Sequence, residues 1–159
     1  MPQKNLTRRM VLAGLATITA TPALAHEIKI GDLVLHHPWV RATAKGAAFA
    51  AGYIKITNSG TAAETLLSAT IDGAKAGEIH ETQIDANGVA SMRMLSNGVP
   101  ITPGGTIELK PLGMHIMFIG LEKPMARDTE LDGTLVFQRA GVVKVTFFVE
   151  PPGASEPAH

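Results

Sequence analysis

The sequence predicts an all-β protein, an antiparallel Greek-key sandwich or barrel. Apolar residues come in short alternating or continuous runs and show no long helical period, which is typical of strands. Turn-forming residues separate these runs, as in Asn58-Ser59-Gly60, Asn87-Gly88 and Asp132-Gly133. Strands at this spacing, without an internal repeat, predict one β domain over residues 26–150.

Ten segments have the composition of strands, and they are Ile28–Leu35, Trp39–Ala42, Gly52–Asn58, Thr65–Thr70, Glu78–Ile84, Val89–Leu95, Thr106–Lys110, His115–Ile119, Thr134–Phe137 and Val142–Val149. The run Ala47–Ala51 could form a helical turn, although Gly46 and Gly52 bracket it closely. Residues 151–159 contain three prolines and few apolar side chains, so we expect a flexible tail.

Composition excludes several classes of protein. The 159 residues include no cysteine, which rules out disulfide scaffolds, cysteine-ligated zinc, iron–sulfur clusters, thiol redox motifs and copper sites with a thiolate ligand. Fourteen basic residues balance fourteen acidic ones, whereas a protein that binds nucleic acid normally has a basic excess. The remaining classes are carriers, enzymes and assembly modules built on a β domain.

The first 25 residues have the pattern of an export signal. Lys4, Arg8 and Arg9 form a basic start, an apolar stretch runs from Met10 to about residue 20, and small residues precede a predicted cleavage site after Ala25. The adjacent arginines also resemble a twin-arginine signal. The apolar stretch is too short for a membrane anchor, so we expect an exported protein without a stable anchor after processing.

Methionine is concentrated in one part of the mature chain. Its five methionines are Met92, Met94, Met114, Met117 and Met125. A hydrophobic core uses methionine sparingly as filler, so a cluster near His80 and His115 points to ligand chemistry. Side chains at i and i+2 share one face of a strand, which places His115 and Met117 together. Taken singly, methionines such as Met92, Met114 and Met125 are more often packing residues than ligands.

The β-hairpin that follows His80 fixes its expected partner. If Ala86-Asn87-Gly88 is a three-residue loop, His80 lies opposite Met94, and another loop length would favour Met92. Packed together, His80, Met94, His115 and Met117 would form a site of two imidazoles and two thioethers. Thioethers select Cu(I) over zinc, calcium or magnesium. No carboxylate is fixed at the same spacing, which further disfavours hard ions.

These residues resemble the periplasmic copper chaperone PCu(A)C family over about residues 28–150. The motifs that carry the resemblance are Glu78–Glu81, Met92–Met94, Leu109–Met117, Gly120-Leu121, Pro38–Thr43 and Tyr53–Asn58. The family pattern is a His, ten residues, a Met, about twenty-one residues and His-x-Met. Here thirteen residues separate His80 from Met94 and twenty separate Met94 from His115, so the intervening turn is enlarged. The resemblance therefore implies that the copper ligands of this chain are His80, Met94, His115 and Met117.

The resemblance implies a cupredoxin-like β-barrel without the usual cupredoxin copper site. It also implies a periplasmic, non-enzymatic carrier of Cu(I) whose partner is a copper-accepting protein of cytochrome c oxidase assembly, at the CuA centre. We expect a monomer that binds no nucleic acid.

Two alternatives stay open at this level. The first is a copper site at His26, which as a new amino terminus would offer an amine, a backbone nitrogen and an imidazole to Cu(II). His159 could add a nitrogen to this weaker second site. A copper monooxygenase could use His26 as half of a histidine brace. The other alternative is a β-sandwich adhesion or assembly module whose methionines serve only as packing.

Overall fold

The computed structural model describes residues 27–158, and these form eleven strands. In chain order they are β1 (Glu27–Ile30), β2 (Leu33–Arg41), β3 (Phe49–Asn58), β4 (Glu64–Ile71), β5 (Ala74–Ile84), β6 (Ala90–Met94), β7 (Val99–Ile101), β8 (Thr106–Leu109), β9 (Met114–Leu121), β10 (Glu130–Phe137) and β11 (Gly141–Glu150). The predicted all-β class is therefore confirmed.

The strands join in one open sheet. Its order is β6-β5-β9-β3-β2-β11-β10-β4-β7, with β1 added to β2 and β8 added to β3. Within the described residues all pairs are antiparallel except that of β11 with β2, which is parallel. The order ends at β6 and β7, which do not pair with each other, so the sheet does not close into a barrel.

The sheet folds over a single hydrophobic core. Alternate residues of most strands face this core, as the burial patterns of β4 and β11 show. Phe118 of β9 meets Phe147 of β11 edge to face, with ring centroids 5.5 Å apart. These two strands are not neighbours in the sheet, so the contact joins its two layers across the interior.

A buried carboxylate holds the β10–β11 turn. Glu64, at the start of β4, accepts hydrogen bonds from the backbone N–H groups of Thr65 at 2.8 Å, Arg139 at 2.9 Å and Ala140 at 2.9 Å. Burial alone would raise the pKa of Glu64, but these three donors and the charge of Arg139 together lower it. The ionised form is therefore the one that the fold stabilises.

The structure departs from the sequence-based description of the strands at three places. The stretch predicted as one strand from Ile28 turns at Gly31 (φ 56°) and makes the β1–β2 hairpin. The run Ala47–Ala51, whose composition is compatible with a helical turn, forms none, because Phe49 begins β3 and pairs with β9. The short strand β7 was not predicted, because three residues that include Pro100 give too little pattern to recognise.

The carboxyl-terminal residues lie against the domain. Strand β11 ends at Glu150, and no strand follows up to residue 158. The carbonyl of Ala154 accepts two hydrogen bonds from the Arg41 guanidinium, and the Glu150 carboxylate accepts one from the N–H of Ala158. The division into a domain and a tail stays a prediction.

The structure of residues 27–158 contains no helical segment with the length and hydropathy needed to span a membrane.

Candidate metal centre

The β5–β6 hairpin has the register that the sequence predicts. His80 pairs directly with Met94, and the pairing continues to Ile84 opposite Ala90. The Asp85 carboxylate closes the turn by accepting hydrogen bonds from the N–H groups of Asn87 at 2.9 Å and Val89 at 2.8 Å. Side chains directly opposite in a ladder point to the same face, so the His80 imidazole and the Met94 thioether are neighbours.

Strand β9 adds the other two predicted residues on the opposite side of β5. His80 pairs with His115, and Glu78 pairs with Met117. Ile79 and Ile116, which also pair, are buried in the core. Since successive side chains of a strand alternate between its faces, His80, His115 and Met117 project from the outer face of the sheet. Met94, His80 and His115 form one row across three adjacent strands, and Met117 lies two residues beyond His115 on β9.

Exposure rises across this row. His115 is 8% exposed, the His80 side chain is 14% exposed, and Met94 is 51% exposed. Met117 is intermediate. The cluster is thus anchored at the imidazoles and open to solvent on its thioether side, which is a geometry that allows ligand exchange with another molecule.

The two imidazoles are held by different hydrogen bonds. Their ring centroids lie 6.0 Å apart at an interplanar angle of 32°. His80 Nε2 is 2.9 Å from Glu78 Oε2, whereas His115 Nδ1 is 3.1 Å from the carbonyl oxygen of Gly113. His80 Nδ1 is buried and has no hydrogen-bond partner. A buried polar atom without a partner is uncommon and calls for an explanation such as an ion.

The environment keeps His115 in the neutral form. Burial lowers the pKa of His115, and the nearby charge of His80 acts in the same direction, while the hydrogen bond to the Gly113 carbonyl opposes them. A metal ligand must be the unprotonated imidazole, so the lowered pKa prepares this side chain to bind metal at neutral pH.

The donor set fits a soft monovalent ion. Among residues 27–158 no group of three or more His, Cys, Asp or Glu side chains is placed to hold a metal ion. Two imidazoles and two thioethers suit Cu(I), and the unpartnered His80 nitrogen would gain a partner.

The remaining candidates lie elsewhere. Met92 is on the same face as Met94 but pairs with Thr82, one row further from the histidines. Met114 packs against the core and Met125 is buried within it. His26 and His159 lie outside the described residues, so the second site based on them stays a prediction.

Sequence reasoning missed Glu78. It placed no carboxylate near the proposed ligands, yet Glu78 bonds His80 directly. The signal was available, because Glu78 precedes His80 by two residues and therefore shares its face of β5.

The described domain matches one family model, "Putative lipoprotein LpqE-like", over residues 33–149. The chain belongs to this family. The curated relative "Putative lipoprotein Lxx21020" of Leifsonia xyli is 35% identical over 119 residues, which cover 74% of this chain and 70% of the relative.

Solved structures connect the fold to copper-binding domains. The chain resembles the apo PCuAC domain of PmoF1, with a TM-score of 0.66 and 28% identity over 80% of this chain and all of that one. The fold is also that of the copper-bound PCuAC domain of PmoF2, at 24% identity over 80% of this chain and 99% of that one, with a TM-score of 0.67. Cu(I)-bound DR1885 from Deinococcus radiodurans matches with a TM-score of 0.59 and 23% identity, over 79% of this chain and 81% of that one. The resemblance to the PCu(A)C family is thereby supported, although the matching family model has a different description.

Proposed function

We propose that this protein is an exported copper chaperone. It binds one Cu(I) through His80, Met94, His115 and Met117 and passes it to a copper-accepting protein that serves the CuA centre of cytochrome c oxidase. The observation that carries the proposal is the row of Met94, His80 and His115 across β6, β5 and β9, with Met117 on the same face.

The chemistry of the four donors suits a carrier. All four bind as neutral groups, so the complex keeps the single positive charge of Cu(I). A thioether does not protonate in the accessible pH range, and it forms no disulfide in an oxidising compartment. Four donors from the chain itself leave no open position for a substrate, which distinguishes a carrier from a copper enzyme.

The exposure of the cluster supports transfer by ligand exchange. The two imidazoles are largely enclosed, while Met94 is about half exposed. An incoming donor from the acceptor can therefore replace the Met94 thioether first, while both imidazoles still hold the ion. The similarity to copper-bound PCuAC domains supports copper as the cargo.

Export is supported by two independent features. Residues 1–25 have the pattern of an export signal, and the matching family and the curated relative both carry the description "Putative lipoprotein". A periplasmic location would place the protein beside the copper-accepting domain of an oxidase.

A transfer experiment tests the function. The protein, loaded anaerobically with one equivalent of Cu(I), is mixed with an apo CuA domain, the two are separated, and the copper in each is measured by mass spectrometry. We expect copper to move to the CuA domain. A Cu(I)–bicinchoninate complex serves as a control donor. If that complex loads the CuA domain and the loaded protein does not, the delivery role is wrong.

A further inference from the structure

The two histidines of the cluster offer different nitrogens. A carboxylate only accepts hydrogen bonds, so the 2.9 Å contact with Glu78 Oε2 places the proton of a neutral His80 on Nε2. The carbonyl of Gly113 likewise only accepts, and its 3.1 Å contact places the proton of His115 on Nδ1. The nitrogens left with a free lone pair are Nδ1 of His80 and Nε2 of His115.

We propose that Glu78 is a positioning residue that fixes the tautomer and orientation of His80, so that His80 binds copper through Nδ1 while His115 binds through Nε2. This inference rests on the proposed copper-binding function. It is carried by the buried Nδ1 atom of His80, which has no partner although the other ring nitrogen of the same residue has a strong one.

The carboxylate also changes the quality of the ligand. A hydrogen bond from the distal N–H of a metal-bound imidazole to a carboxylate makes the coordinating nitrogen more basic and holds the ring in place. The negative charge of Glu78 offsets the charge that Cu(I) brings to an otherwise neutral donor set. Glu78 lies opposite Met117 in the β5–β9 ladder, so it is held beside the same face as the ligands.

A neighbouring carboxylate provides a matched control. Glu81 follows His80 on β5 but projects from the other face, where it bonds Arg93 at 2.9 Å and Gln83 at 3.2 Å. Replacing Glu81 removes a carboxylate close to His80 in sequence without touching the hydrogen bond to its ring.

The tautomer can be read without copper by long-range ¹H–¹⁵N correlation spectra of the ¹⁵N-labelled apo protein. We expect His80 to carry its proton on Nε2 and His115 on Nδ1. After one equivalent of Cu(I), the resonances of His80 Nδ1 and His115 Nε2 should shift most. A His80 proton on Nδ1 in the apo protein, or a copper shift at His80 Nε2, would overturn the inference.

Variants then measure the role of the carboxylate. Glu78→Leu should mix the His80 tautomers and weaken Cu(I) binding about 10- to 100-fold in competition with bicinchoninate, the usual effect of losing an outer hydrogen-bond partner. Glu78→Gln keeps an oxygen acceptor, so it should recover part of the affinity and keep the Nε2–H tautomer. Glu81→Gln should change neither property.

The outcomes separate the inference from the function. If the wild-type protein binds Cu(I) and folded Glu78→Gln and Glu78→Leu proteins both bind it within twofold of wild type, only the role of Glu78 is wrong. If the wild-type protein retains no Cu(I) against bicinchoninate, the copper function itself fails, and with it the positioning role.

Discussion

Replacing Met94 with leucine should weaken Cu(I) binding, whereas the same change at Met92 should not. Both methionines lie on one face of β6, but Met94 pairs with His80 and Met92 pairs with Thr82. Directly opposite Cβ atoms are about 5 Å apart, while diagonal neighbours are about 7–8 Å apart. Met94 is therefore the closer of these two thioethers to His80, and it is the one that we expect to bind the same ion as the imidazoles.

The expected magnitudes follow from these positions. Losing an outer-shell partner typically weakens metal binding 10- to 100-fold, so losing a direct ligand should cost at least tenfold, or about 1.4 kcal/mol. Met92→Leu should leave the affinity within about twofold. Met94 is 51% exposed and Met92 is 62% exposed, and leucine conserves their volume. Neither change should therefore alter the free energy of unfolding by as much as about 1 kcal/mol.

Anaerobic competition with bicinchoninate measures the Cu(I) affinities of both variants under the same conditions. The absorbance of the Cu(I)–bicinchoninate complex reports how much copper each protein retains. Urea unfolding of the apo proteins provides the control for folding. The register argument is refuted if Met92→Leu weakens binding as much as Met94→Leu, or if neither variant differs from the wild-type protein.

Three further predictions concern stability. Glu64→Ala leaves three backbone N–H groups without their acceptor, so the free energy of unfolding in urea should fall by about 2–3 kcal/mol. Because folding lowers the pKa of Glu64, the wild-type protein should keep this advantage above pH 4.5 and lose it as the pH falls through the lowered pKa. A variant with the same pH dependence of stability as the wild-type protein would contradict this. Burial lowers the pKa of His115 below 6.5, so the unfolded chain takes up this proton first and the apo protein should lose stability as pH falls through 6.5. In thermal melts over a series of pH values, His115→Gln should reduce this loss, and an equal loss in the variant would contradict the prediction. A Cβ at Gly77 would clash with the backbone oxygen of Ala69, so Gly77→Ala should destabilise the fold by about 1–3 kcal/mol. Unfolding of the variant at the wild-type urea concentration would show that β4 and β5 can move apart without penalty.

The outer face of β5, β6 and β9 was accessible to sequence reasoning because strand geometry is periodic. Alternation placed His115 beside Met117, and the three-residue loop ending at Gly88 gave the pairing of His80 with Met94. Both deductions needed only local register. The pairing of His80 with His115 joins segments far apart in the sequence, and the sequence pattern alone could not establish it.

Features that depend on tertiary context escaped prediction. The parallel pairing of β11 with β2 has no local signature. The run from Ala47 to Ala51 has a composition compatible with a helical turn, but its last three residues belong to β3, where Phe49 pairs with β9. Tertiary hydrogen bonds here override a weak local propensity. The spacing of Glu78 and His80 shows that they share one face of β5, but the hydrogen bond between them depends on rotamers that the packed strands determine.

The central claim is that two imidazoles and two thioethers hold one Cu(I), and X-ray absorption at the copper edge tests it most directly. We expect the spectrum of the loaded protein to fit a first shell of two nitrogens and two sulfurs, with one sulfur lost in Met117→Leu. A first shell that contains only nitrogen and oxygen would contradict the claim.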